Sequence, residues 1–202
     1  MFTEKLTGTV TGLLEQIGKF LPEGTYLAGG TALAMHLNHR SSFDLDLYTP
    51  NEFDVEMLRQ QLEKAYPEFS VISTSWQTLI GKYKDTEISI FFYKYPLIKP
   101  LTKFKSLNIA SIEDIAVMKL EAISGRGLKR DFYDLYKICQ NQNWTLNDVL
   151  EMRAEKYPEA EASRPHIIKS LTYFDDAESQ SERAQIIDQD WQIVKEFFLK
   201  SK

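Results

Sequence analysis

The chain contains one cysteine, Cys139, so no disulfide can form within it. Every apolar run falls short of the ~20 residues a helix needs to cross a bilayer. The N-terminus also lacks the charged, apolar, then small order of a secretory leader. These shortages predict a cytoplasmic protein with no membrane association. Histidine is scarce, and His36, His39 and His166 show no metal-ligand spacing with Cys139. No segment repeats and none is of low complexity. An overall excess of positive charge is missing too: the net charge is −5, which weighs against indiscriminate binding of nucleic acid.

With 202 residues the chain suits one large domain or two small ones. Its 43% hydrophobic and 26% charged content predicts a folded protein. The charge is uneven. Lys94, Lys99, Lys103, Lys105, Lys119, Arg126, Lys129 and Arg130 are opposed over the same stretch only by Glu113, Asp114 and Glu121. Such a run is either a solvated basic face or a track for polyphosphate or RNA, and charge alone favours the solvated face.

Apolar spacing predicts an amphipathic helix over 5–20, ended by Pro22 and Gly24. A short strand, Tyr26-Leu27-Ala28, breaks at Gly29-Gly30, and Thr31 is a candidate N-cap for a helix over 32–37. Phe43 to Tyr48 alternates with the strand period. A helix over 54–66 and strands over 69–74, 79–83 and 87–95 follow. Beyond Pro96 and Pro100 the pattern turns helical: Ser111 to Asp114 resembles a capping box for a helix to 124, then come a helix over 129–140 and one capped by Thr145. The order predicts an α+β fold: a mixed β-sheet flanked by helices over 1–100, and over 101–202 a helical part that packs on the core and completes the cleft.

Asp44 and Asp46 stand two apart on a predicted strand, so both point to one sheet face. Their mutual repulsion calls for a cation, and Mg²⁺ suits hard oxygen ligands. Asp-x-Asp alone more often marks a solvated strand. Gly-Gly alone is more often a plain turn. A Gly-Gly turn that leads through one short helix into a strand bearing two carboxylates is far more specific, because it aims a phosphate cradle at a metal site. Lys119 lies in the middle of the apolar stripe Ile112, Ile115, Ala116, Leu120 and Ile123. A lysine there either snorkels at the core edge or points into a cleft. Arg130 opens the next helix with a guanidinium suited to phosphate or carboxylate, and ordinary charge pairs explain it equally well. Phe91, Phe92, Tyr93 and Tyr95 read as a buried strand, and Cys139 as core.

The segments Leu27 to Ala34 and His39 to Leu47 resemble the first motif of the AbiEii/AbiGii-type nucleotidyltransferases, the toxin halves of bacterial toxin–antitoxin and phage-defence modules. Lys119, Arg126 and Arg130-Asp131-Phe132-Tyr133-Asp134-Leu135 resemble the downstream motifs. The resemblance implies a polymerase-β-like fold and Mg²⁺-dependent transfer of a nucleoside monophosphate from an NTP to an acceptor, an RNA such as tRNA. It implies nucleotide binding by Gly29, Gly30, Thr31, Arg40, Lys119, Arg126 and Arg130, metal binding by Asp44 and Asp46, and essential roles for Lys119 and Asp131. A cognate antitoxin is an expected partner on the same ground. One position departs from the pattern: Ser89 stands where the superfamily often has a third carboxylate. Glu87, two residues earlier on the same face, is the substitute metal ligand or base, with Asp131 the alternative base. If neither serves, the chain is a degenerate nucleotide- or RNA-binding module that keeps the fold without the transfer.

Overall fold

A computed structural model describes residues 1–179 and 188–200, the side chains of 188 and 189 excepted. The chain forms two compact units, Met1–Ser111 and Ile112–Lys202. The division falls later than the composition change after Pro100 suggests, because 102–109 belongs to the sheet of the first unit.

The first unit runs α1 (Gly8–Gln16), β1 (Tyr26–Ala28), α2 (Gly29–Leu37), β2 (Leu45–Thr49), α3 (Val55–Ala65), β3 (Phe69–Ser75), β4 (Thr78–Tyr83), β5 (Thr86–Phe92), β6 (Thr102–Phe104) and β7 (Leu107–Ile109). The strands make one seven-stranded sheet in the order β3-β4-β5-β2-β1-β7-β6. β2 lies antiparallel to β1 and parallel to β5, and β1 lies parallel to β7. The mixed directions follow from connections that pass through helices.

Local signals set the elements. Thr7 caps α1 by accepting from the Val10 N–H, and Asp54 caps α3 by accepting from Met57. Leu45, Leu47 and Thr49 of β2 are buried, whereas Asp46 and Tyr48 between them are half-buried. The alternation therefore separates an apolar face from the face that carries the carboxylates. On the apolar side Leu13, Leu14, Leu27, Leu33, Leu62, Leu79, Ile88 and Ile90 are buried. Each such side chain contributes ~1.5–3 kcal/mol by leaving water.

The second unit is helical: α4 (Ile112–Gly125), α5 (Lys129–Gln142), α6 (Leu146–Lys156), α7 (Arg164–Ser170), α8 (Asp175–Ser179) and α9 (Asp188–Lys200). α6 opens with a reciprocal capping box between Thr145 and Asp148. Phe132 of α5 anchors an aromatic cluster, with ring centroids 5.2 Å from Phe174, 6.0 Å from Trp191 and 5.1 Å from Phe198. Among the described residues no helix is long and apolar enough to cross a membrane.

Candidate active site

The Gly-Gly turn starts α2 earlier than expected. Ala28 occupies the N-cap, so Gly29, Gly30 and Thr31 form the first turn and Thr31 is not the cap. Their N–H groups belong to the set that has no acceptor within the helix. Gly29 adopts φ +65°, and a Cβ there would lie 2.1 Å from Oδ2 of Asp46. Glycine is thus required twice, for the left-handed backbone and for the close approach of the carboxylate. A Cβ on Gly30 would lie 2.5 Å from Nη2 of Arg40, whose Nη1 donates to the Ser41 carbonyl at 2.9 Å. The turn is a bare patch of backbone with one carboxylate and one guanidinium laid against it.

Asp46 pairs in register with Ala28 on one side and Ser89 on the other. Asp44, two residues earlier, meets the start of β5, where the Glu87 N–H points at its Oδ1 from 3.4 Å. The structure thus brings Gly29, Gly30, Asp44, Asp46, Glu87 and Ser89 to one end of β1, β2 and β5. Glu87 is exposed and Ser89 buried. The expected trio Asp44, Asp46 and Glu87 is not gathered as one ligand set: among the described residues no three His, Cys, Asp or Glu side chains are placed to hold a metal. Two carboxylates still fit Mg²⁺, which is commonly held by one or two acids with substrate phosphates supplying further oxygens.

Thr31 is 1% exposed, with its hydroxyl 2.8 Å from that of Ser42 and bonded to the Asp44 carbonyl. Expected to face a phosphate, it faces its own loop instead.

Down the same sheet face, Tyr48 lies 6.0 Å from Tyr26, 5.5 Å from Phe91 and 5.2 Å from Tyr93 between ring centroids. Phe91, Phe92, Tyr93 and Tyr95 are half-buried, not the fully buried strand expected, and these rings pack mainly on each other.

Lys119, Asp131 and Asp134 form a buried ionic group in the second unit. The Lys119 ammonium lies 2.8 Å from Oδ1 of Asp131 and 2.7 Å from Oδ2 of Asp134. Arg126 donates from Nε to Asp131 Oδ2 at 2.8 Å and from Nη2 to Oδ1 at 3.1 Å, while its own side chain stays half exposed. Burial pushes the Asp131 carboxyl up, but the Lys119 ammonium and the Arg126 guanidinium outweigh it and hold the group below its ordinary value. Asp131 is thereby tied to Lys119 and Arg126 at once. Asp134 was not anticipated as a partner, although its spacing from Asp131 puts both on one helical face. Arg130 lies half-buried in the first turn of α5.

The basic residues from Lys94 to Arg130 meet different surroundings. Lys94, Lys99 and Lys103 are exposed, Lys105 pairs with Glu15, and Lys119 is internal. Cys139 is buried, as expected of a core residue, with burial pushing its thiol up to about 12.

A mixed sheet whose β1 runs into a Gly-Gly helix start, with two acids on the adjacent strand, defines a nucleotidyltransferase fold of the polymerase-β kind. Solved structures share it. JHP933 from Helicobacter pylori superposes with a TM-score of 0.54 at 18% identity over 96% of this chain and 92% of that one. The antibiotic-resistance factor ANT(2'')-Ia superposes with a TM-score of 0.55 at 14% identity over 79% and 98%. Residues 83–201 match the family model described as nucleotidyl transferase AbiEii toxin, Type IV TA system. The protein aq_aa25 of Aquifex aeolicus (strain VF5) is 38% identical over 177 residues, covering 86% of this chain and 84% of that protein. The chain belongs to the AbiEii nucleotidyltransferase toxin family, and nucleotidyl transfer is its class of reaction.

Proposed function

We propose that the protein transfers a nucleoside monophosphate from an NTP to RNA, tRNA being the leading acceptor, with Mg²⁺, as the cytoplasmic toxin of a toxin–antitoxin or phage-defence module. The observation that supports this reading is Asp46 of β2 laid against Gly29 at the start of α2, with Asp44 two residues earlier, just ahead of the strand. Asp44 and Asp46 would hold Mg²⁺, which when bound neutralises the triphosphate and acidifies the acceptor hydroxyl. The first-turn N–H groups of α2 and the Arg40 guanidinium supply the positive field for the phosphates. An acceptor oxygen attacks the α-phosphorus, the α–β bridging bond breaks, and pyrophosphate leaves. Glu87, exposed and next to Asp44, is the carboxylate available to take the acceptor proton.

A second reading rests on one observation. Ser89 sits opposite Asp46 in register, where a third carboxylate would complete the set. That favours a degenerate module which binds nucleotide and does not transfer it.

The test offers purified protein each of four α-labelled NTPs with Mg²⁺ and total cellular RNA. Label is expected in RNA and is expected to fall about 10³-fold or more in the double variant Asp44→Ala/Asp46→Ala. Label on the protein itself would redirect the acceptor assignment. NTP binding without any transfer would replace the first reading with the second.

A further inference from the structure

Asp44 is delivered to β2 by the loop that leaves the C-terminal end of α2. Two hydroxyls tie that loop back to the first turn of the same helix. Thr31 and Ser42 are 1% and 7% exposed, and their oxygens lie 2.8 Å apart. Thr31 Oγ1 also meets the main-chain carbonyl of Asp44. A carbonyl only accepts, and a hydroxyl carries one proton. The Thr31 proton therefore goes to the Asp44 carbonyl, and the Ser42 hydroxyl donates to Thr31. This relay leaves Thr31 no proton to offer a phosphate. Gly30 makes room for it, because a Cβ there would come within 3.2 Å of Ser42 Oγ. On its far side, Asp44 faces the Glu87 N–H. The residue is thus held at its backbone by the relay and approached at its carboxylate by β5.

We propose that Thr31 and Ser42 are positioning residues: their buried hydroxyl relay sets the backbone of Asp44, and Thr31 is not a ligand for the triphosphate. The catalytic consequence rests on the reading of Asp44 as a metal ligand; the relay itself does not. Removing the Thr31 hydroxyl with a residue of the same shape leaves a buried carbonyl without its donor, which favours local opening of the loop.

The full-length chain is compared with Thr31→Val, Thr31→Ser, Ser42→Ala and the double variant Thr31→Val/Ser42→Ala. Three quantities are read: amide hydrogen exchange over residues 40–47 without nucleotide, dissociation constants for the four Mg²⁺–NTPs, and transfer rate. Thr31→Val is expected to speed exchange about tenfold or more, and to slow transfer about 10²-fold through misplacement of Asp44. The NTP dissociation constants should change less than about 3-fold. Thr31→Ser should rescue exchange and transfer. Ser42→Ala should act in the same direction more weakly, and the double variant should be no worse than Thr31→Val alone. NTP binding weakened about tenfold with exchange unchanged would make Thr31 a phosphate ligand and overturn the proposal. Equal damage from Thr31→Ser and Thr31→Val would overturn it too, by assigning the role to the methyl group. If the wild-type protein transfers nothing, the transferase reading fails while exchange still decides the relay. If Thr31→Val does not fold, Ser42→Ala decides: faster exchange over 40–47 supports the relay, and unchanged exchange rejects it.

Discussion

Each unit of the chain contains a pair of aspartates close in sequence, and the two pairs are treated in opposite ways. Asp44 and Asp46 are half-buried, Asp44 just ahead of β2 and Asp46 within it. Asp131 and Asp134 are fully buried and share the Lys119 ammonium, with Arg126 completing the coverage of Asp131. The first pair keeps partial access to solvent. The second has its charge met inside the unit, where it fixes α4 against α5. The same residue type is therefore left half-buried beside a strand in one unit and fully enclosed with an ammonium between two helices in the other, and burial is what distinguishes them.

The largest test of that contrast is Lys119→Met. It removes the ammonium shared by two buried carboxylates, so it should destabilise the protein by ~3–5 kcal/mol in chemical denaturation. Asp44→Ala/Asp46→Ala should cost less than ~0.5 kcal/mol in the same assay, because it removes like-charge repulsion. Similar losses from both variants would erase the distinction.

Next in size is Gly29→Ala, which forces a side chain into left-handed backbone and into the Asp46 carboxylate. We expect a loss of ~1–3 kcal/mol in thermal melts and a fall of about 10²-fold in transfer as Asp46 is displaced.

The smallest effect is that of Arg126→Ala. Its half-exposed guanidinium should be worth less than ~1 kcal/mol near neutral pH. Acid sharpens the comparison. The Asp131 carboxyl is held below its ordinary 3.8 in the folded state, so its stabilisation is fully present above 3.8 and is lost as pH falls through the lowered folded value. Removing Arg126 raises that folded value, so the acid-unfolding midpoint should move to higher pH. An unmoved midpoint in a pH titration of circular dichroism would show that Lys119 alone keeps Asp131 ionised.

The parts of the fold read most clearly in the sequence were those whose signal is local. The alternation across β2 and the capping position of Thr145 announce themselves within a few residues. β6 and β7 did not. Each spans three residues, too few for a period to show, and they meet at a two-residue turn with Lys105 at φ +53°. Asp114 looked like part of a helix start, yet it is fully buried with its Oδ1 2.6 Å from Lys156 Nζ. Lys156 lies far along the chain, and no spacing rule links the two. The glycine turn was legible because a left-handed backbone and the close approach of side chains demand glycine. Ser42 and Asp134 were not singled out, because their importance lies in partners that only folding brings near. The Thr31 hydroxyl was legible as a functional group, but its direction was not.

β1 is flanked by β2 on one side and β7 on the other, and the Ala110 N–H closes the join on the Leu27 carbonyl at 2.9 Å. On a ribosome, that order matters. The glycine turn emerges early, yet β1, the strand that leads into it, gains its second neighbour only when Leu107–Ile109 has been made. A message broken before that codon yields a polypeptide that holds all the acids of the site on an unfinished sheet. Completion of the sheet around β1 is in this way timed to the passage of the first unit through translation.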